Sequence, residues 1–461
     1  MLLRTIAILF TLLTASPLAA TTYFVSPTGN DAADGRSATT AWRTIEPLKS
    51  VELAPGDSVA FARGGVWRSP LEPRHNGTAE APIVFTAYGD GLPPRFDGSD
   101  EVPSAREFAA AQGVNAILLN GVFLRTPADW KLEGETLRLA AMPTTASVRL
   151  VRRENMVNLQ QVEHIVLRGL WADATAKPHG GYGFRIEGCR NVTLEDCLAT
   201  RGGKHHFGVI NSTDVVLRRC RAELVMPDQG VGGASAFVSF SDRRRQGDVS
   251  RYEDCVVQNY RDATEKGQYA AFVTHGEGIG EITITGLVAY GAGFSLNNRE
   301  SGAKLRIVDS FVEDASVGIF GNECEVSRVT LRRGVLTLDG EANRISGCQV
   351  IEANPGFLGY QSAVVNTGRR NVLEDCTIRL DPAAKSFNAG IALVHPQSEL
   401  TWRNCRFAST GSAVRTWFED VSAAGCRAVA NHYPSATTFI VKGAEKPLSV
   451  DEWRALGFDQ P

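Results

Sequence analysis

Asn191-Val-Thr-Leu-Glu-Asp-Cys-Leu198 is the stretch that decides how this chain is read. Apolar side chains fall on every second residue, the period of a short strand with one buried face. The ending of that strand recurs along the chain as Leu217-Arg-Arg-Cys220, Tyr252-Glu-Asp-Cys255, Ile345-Ser-Gly-Cys348, Leu373-Glu-Asp-Cys376, Trp402-Arg-Asn-Cys405 and Ala423-Ala-Gly-Cys426. Other small or apolar residues fill the same frame in Leu167-Arg-Gly-Leu170, Ile284-Thr-Gly-Leu287, Ile307-Val-Asp-Ser310 and Leu331-Arg-Arg-Gly334.

Working outward, these instances recur about every 26 residues, the period of a solenoid rather than of several separate domains. Gly, Asn and Asp turns separate the strands, and no helical pattern is long enough to form a crossover helix. A strand-only solenoid of that period is a parallel β-helix, so the sequence predicts an all-β fold of about ten coils with an N-terminal cap and a short C-terminal cap. Equivalent inward residues stack as ladders about 4.8 Å apart. Seven of the nine cysteines are expected at one ladder position as buried free thiols, with Cys189 and Cys324 outside the frame. No Cys-x-x-Cys spacing suggests a metal. The interval from 334 to 348 is too short for a coil, so one of those two positions is out of register.

The near-even balance of Lys+Arg 48 against Asp+Glu 51 argues against a general nucleic-acid binder. No apolar run outside the first twenty residues is long enough to span a bilayer. Met1–Ala20 carries Arg4, the apolar run Ile6–Leu13 and Ala15-Ser-Pro-Leu-Ala-Ala20. That is the layout of a secretory signal peptide, which predicts a secreted or periplasmic protein with no membrane span in the mature chain.

The next segment holds Tyr23-Phe-Val-Ser-Pro-Thr-Gly-Asn-Asp31, Ala41-Trp-Arg-Thr-Ile45, Pro55-Gly-Asp-Ser-Val-Ala-Phe61 and Asn76-Gly-Thr-Ala-Glu-Ala-Pro-Ile-Val-Phe-Thr-Ala-Tyr-Gly89. Over residues 22 to 98 these strings resemble the N-terminal region of exported bacterial right-handed parallel β-helix proteins. That group includes polysaccharide lyases of the chondroitinase B and alginate lyase family and several glycoside hydrolase families. The resemblance implies a right-handed coil and an exported, carbohydrate-active role. The Asn-x-Lys-Ser string of the alginate lyases is missing. So is the polygalacturonase set, of which Asn211-Ser-Thr-Asp214 and His275-Gly276 are faint echoes. The sequence therefore divides into a signal peptide at 1–20, cap and first coils at 21–127, a β-hairpin insertion at 128–150, coils at 151–440 and a C-terminal cap at 441–461.

Insertions in a solenoid gather on one face, often the binding face. The two largest intervals, 220 to 255 and 255 to 287, are consecutive, and Gly202-Gly-Lys-His-His-Phe-Gly208 adjoins them. The catalytic candidates are His205, His206, Asp228, His275 and Glu277. The substrate-binding candidates are Lys204, Arg245, Arg261, Lys266 and Arg299. Adjacent strand residues face opposite ways, so at most one of His205 and His206 reaches a groove.

Two chemistries fit. In β-elimination on a uronic-acid polymer, a histidine removes the proton beside the carboxylate while cations or Ca²⁺, held by Asp196 or Asp228, neutralise the developing charge. In glycoside hydrolysis, Asp228 and Glu277 act as paired carboxylates. Basic residues interleaved with acids favour an acidic polysaccharide and the lyase. A non-catalytic carbohydrate-binding or adhesion solenoid is the alternative of another class. It is disfavoured because adhesins carry many more repeats, low-complexity linkers and an anchor. The expected partner is the polysaccharide alone, bound by a monomer.

Overall fold

The computed structural model describes residues 19–459 apart from 104, 106, 110–113, 115, 125–128, 135, 141–146, 177–180, 226–233, 243–246, 259–268, 354–361, 382–388, 394–396, 410–414, 419–424, 435–436 and 442–445. The expected signal segment thus lies almost wholly outside the described residues.

Three long sheets of 14, 12 and 13 strands run the length of the molecule. Each turn of the chain contributes one strand to each sheet, as in Arg190–Glu195, Leu198–Gly202 and His205–Ile210. Pairing from coil to coil is parallel throughout the coils, for example Leu194 opposite Leu217 and Phe184 opposite Phe207. This is a right-handed parallel β-helix. The sheets hold more strands than the expected ten coils require. The ladder frame misses turns at the N-terminal end, where Thr22–Val25, Ser58–Ala62 and Ile83–Tyr88 already pair in the first sheet.

The repeated turn has a backbone cause. The residue just before each ladder position, from Gly169 through Asp196, Asp254, Asp309 and Asn404 to Ala430, sits at a φ between 51° and 67°. Gly, Asn and Asp tolerate this left-handed region best, which is why they recur there. One such residue folds the chain sharply from the first sheet into the second, and the next side chain points inward. Each ladder thiol then donates to a carbonyl of the preceding coil, as Cys220 Sγ does to Leu194 O at 3.6 Å.

The ladder differs from the sequence reading at two positions. Register places Val329, not Gly334, between Ser310 and Cys348, because Thr330 lies opposite Gln349. The coils there are the shortest, with 19 residues separating Arg328 from Asp309, so two turn signatures crowd into one interval. Cys426 lies opposite Leu400, inside a strand, and Asn431 holds the ladder position next to Cys405. Six cysteines, not seven, therefore share the rung, and all nine are free thiols.

The interior is one continuous apolar core. Phe184, Phe207 and Phe237 stack along the third sheet with ring centroids 4.9 and 5.1 Å apart. Alanines at 172, 199 and 222 in the second sheet belong to the same core, and their small size leaves volume for the rings. Each fully buried Phe contributes about 1.5–3 kcal/mol. The far end is closed by the helix Val450–Ala455, started by a Ser449/Glu452 capping box, whose Trp453 stacks on Phe439 at 4.6 Å.

Residues 99 to 151 leave the coil. Ser99–Val102, Val148–Val151, Ala116–Leu119 and Val122–Phe123 form one antiparallel sheet; Trp130–Glu133, Thr136–Leu139 and Glu107–Ala109 form another. The hairpin within 128–150 is part of this larger insert. Arg149 pins it to the coil, its Nη2 2.6 Å from Asp97 Oδ1 and 3.0 Å from Asp173 Oδ2, with both carboxylates fully buried. Among the described residues no helix is long and apolar enough to cross a membrane.

Candidate functional site

Each of the long intervals identified from spacing includes a segment between a strand of the second sheet and a strand of the third. Residues 226–233 join Arg221–Val225 of the second sheet to Ala234–Phe240 of the third, and 259–268 join Val256–Gln258 to Tyr269–His275. Residues 243–246 fall in the chain between Ala234–Phe240 and Asp248–Glu253 of the first sheet. The described catalytic and substrate-binding candidates lie on or beside strands of the third sheet. Asp228, Arg245, Arg261 and Lys266 belong to the three connecting segments and lie outside the described residues.

The described candidates separate cleanly. His206 is completely buried, and its Nε2 donates to the carbonyl oxygen of Glu223 at 2.8 Å. Burial pushes it down to about 4, partly opposed by the carbonyls of Glu223 and Leu224. An imidazole enclosed in this way does not reach a polymer on the outside. His205 packs on the other side of the strand against Tyr182, ring centroids 5.0 Å apart. Burial, helped by Lys204 and His275, pushes it down to about 3.

His275 is exposed at the end of its strand, two coils further on, beside Phe240. Partial burial lowers its proton affinity, the Glu300 carboxylate works against that, and Lys204 adds to it. Lys204 and Glu300 act electrostatically on His275, and Lys204 and His275 on His205, with His275 aligned by register with Ile210 at the other end of the strand from His205. Lys204 is half-buried, and its Nζ has no acceptor among the described residues. An imidazole open to solvent with lowered proton affinity thus lies within electrostatic reach of an ammonium with no described acceptor and of a carboxylate. Such a set can bind an anion and exchange a proton beside it. Glu277 is half-buried on the same strand end.

Two other candidates are committed elsewhere. Arg299 Nη2 holds Asp339 at 2.8 Å. Asp196 has both carboxylate oxygens on Arg219, at 2.7 and 2.9 Å, which leaves it poorly suited to Ca²⁺. Among the described residues no group of three or more His, Cys, Asp or Glu side chains is gathered as a metal site would require.

The sequence reading missed Asn158, Tyr182 and Arg185. Their signal is register: Asn158, Arg185 and Gly208 lie opposite one another on successive coils, as do Tyr182 and His205. Glu300 directly follows the candidate Arg299 but was not itself a candidate.

No family model and no curated protein sequence matches this chain. Among solved structures it is similar to XylC in complex with xylose, at 11% identity with a TM-score of 0.51 over 84% of this chain and 76% of that one. It is also similar to a protein described as a glycoside hydrolase, at 9% identity and TM-score 0.49 over 87% and 96% of the two chains. A rhamnogalacturonan lyase gives 14% identity and TM-score 0.44 over 93% and 90%. At such identities the first likeness speaks for the fold, in agreement with the coil described above.

Proposed function

We propose that the protein is an exported enzyme that cleaves a uronic-acid-containing polysaccharide by β-elimination on the outer face of the third sheet. The observation that carries this reading is an exposed imidazole, His275, whose proton affinity is lowered and on which the Lys204 ammonium, unmatched by any described acceptor, acts electrostatically. Lys204 pairs with the uronate carboxylate and stabilises the charge that builds on it. Neutral His275 takes the proton from the adjoining carbon. The electron pair left behind forms a carbon–carbon double bond as the bond to the leaving sugar oxygen breaks, and that oxygen takes a proton from the imidazolium or from water. His205, shielded and held at about 3, shapes the face rather than acting as the base. Ca²⁺, where needed, would come to Asp228 or to the substrate carboxylates.

The test is a panel of uronate polymers, with unsaturated product followed by ultraviolet absorbance and new reducing ends counted in parallel. Both signals should rise together. New ends without absorbance would mean hydrolysis, and binding without either product would mean an adhesion solenoid.

A further inference from the structure

On its outer face the third sheet carries Asn158 two coils before His205, and Tyr182, Arg185 and Glu187 one coil before it. Tyr182 leans across Gly208: a Cβ there would come 2.3 Å from Tyr182 Cε1, so any side chain at 208 would displace the phenol. Three buried polar atoms on this face have no hydrogen-bond partner among the described residues: Asn158 Oδ1, Arg185 Nε and His205 Nδ1, the last on a ring only 8% exposed. Buried polar atoms in folded proteins are normally satisfied, so a cluster of orphans marks a place where something else supplies the bonds.

The charges say what kind of ligand fits. Arg185 is already matched by Glu187 at 2.6 Å, so a second carboxylate arriving here would meet a like charge. A joined guanidinium and carboxylate present donors and an acceptor side by side, the arrangement that adjacent sugar hydroxyls satisfy. Lys204, one coil on, is unmatched and takes an anion. Successive coils are about 4.8 Å apart, close to the length of one sugar ring.

We propose that the Asn158–Tyr182–Arg185–Glu187 strip is a subsite for an uncharged, hydroxyl-rich sugar, so that the substrate carries a neutral sugar next to the uronate held by Lys204. The assignment rests on the elimination reading above and names the substrate class within it.

Titration calorimetry on the His275→Ala protein tests it without turnover. The probes are a tetrasaccharide alternating uronate with a neutral hexose and a homouronate tetrasaccharide. The alternating probe should bind about tenfold more tightly, the effect of one good polar contact to a charged group. Arg185→Met should erase that preference, while Lys204→Met weakens both probes alike. Glu187→Gln, which frees the Arg185 charge, should shift preference toward the homouronate; thermal unfolding confirms that each variant is folded. Equal affinity for the two probes, no binding of either, or a preference that survives Arg185→Met would overturn the subsite. The titration reads binding alone, so a failure of elimination, seen in the absorbance assay, is distinguishable from a failure of the subsite.

Discussion

His205 and His206 are consecutive residues that occupy opposite sides of one sheet wall. The first lies against Tyr182 on the outer face, and the second is sealed in the coil with its Nε2 on the carbonyl of Glu223. Both are held uncharged, at about 3 and about 4. This pair sets the acid stability of the fold as well as one wall of the site.

In the unfolded chain both imidazoles protonate near their ordinary value of 6.5. The unfolded state therefore binds more protons below that pH, and stability falls as pH drops from 6.5 toward the folded values. At pH 5 each histidine should cost about 2 kcal/mol relative to pH 7. Urea midpoints of the wild type, His205→Gln and His206→Gln at the two pH values check this. Each variant should show a shallower pH slope, and an unchanged slope would contradict the assignment.

Eight of the nine thiols are buried, and Cys426 alone is partly exposed. Burial raises Cys220 and pushes Cys324 up to about 12, which suppresses the reactive thiolate. A thiol reagent should therefore label Cys426 slowly and the other eight only after denaturation. Rapid labelling of several thiols in the native protein would show that the ladder is open.

Arg149 joins the insert to Asp97 and Asp173, both fully buried. Arg149→Met removes one partner of two buried carboxylates that keep Arg201 and Arg95, so it should destabilise the protein by about 1.5–3 kcal/mol in urea unfolding. Arg138→Met, which removes an exposed pair with Glu107 at 3.1 Å, should cost less than about 1 kcal/mol. Comparable losses would mean that the buried network does not anchor the insert.

The pH dependence of turnover should follow the base. In the proposed elimination His275, its proton affinity lowered from the ordinary 6.5, works unprotonated, so kcat/KM should rise with pH through a value below 6.5 and then level off. Glu300 raises the proton affinity of His275 and Lys204 lowers it. Glu300→Gln should move the limb to lower pH and Lys204→Met to higher pH. Shifts in the same direction would remove His275 from the titrating role.

The fold was legible because one turn geometry repeats. A left-handed residue at each corner selects Asp, Asn or Gly, and an inward small residue follows, so Glu195-Asp196-Cys197 and its kin announce the coil. The frame slipped at Gly334 and Cys426, where short coils and a second corner offer the same residue types. The site was only partly legible. Spacing pointed to the long intervals, to His275 within one of them and to the adjoining Lys204 and His205 as candidates. It could not say that Arg299 and Asp196 are spent on Asp339 and Arg219, since those partners arrive from other coils. Nor could it show Tyr182 and Arg185, which sit in a coil of ordinary length and matter only through their alignment with His205 and Gly208.

Comparing the wild type with His275→Ala for unsaturated-product formation on a uronate polymer tests the proposed chemistry most directly. Losing the positioned base should lower kcat by roughly 10²–10⁴-fold while the melting transition stays in place. Unchanged formation of unsaturated product by a folded His275→Ala protein would contradict the account.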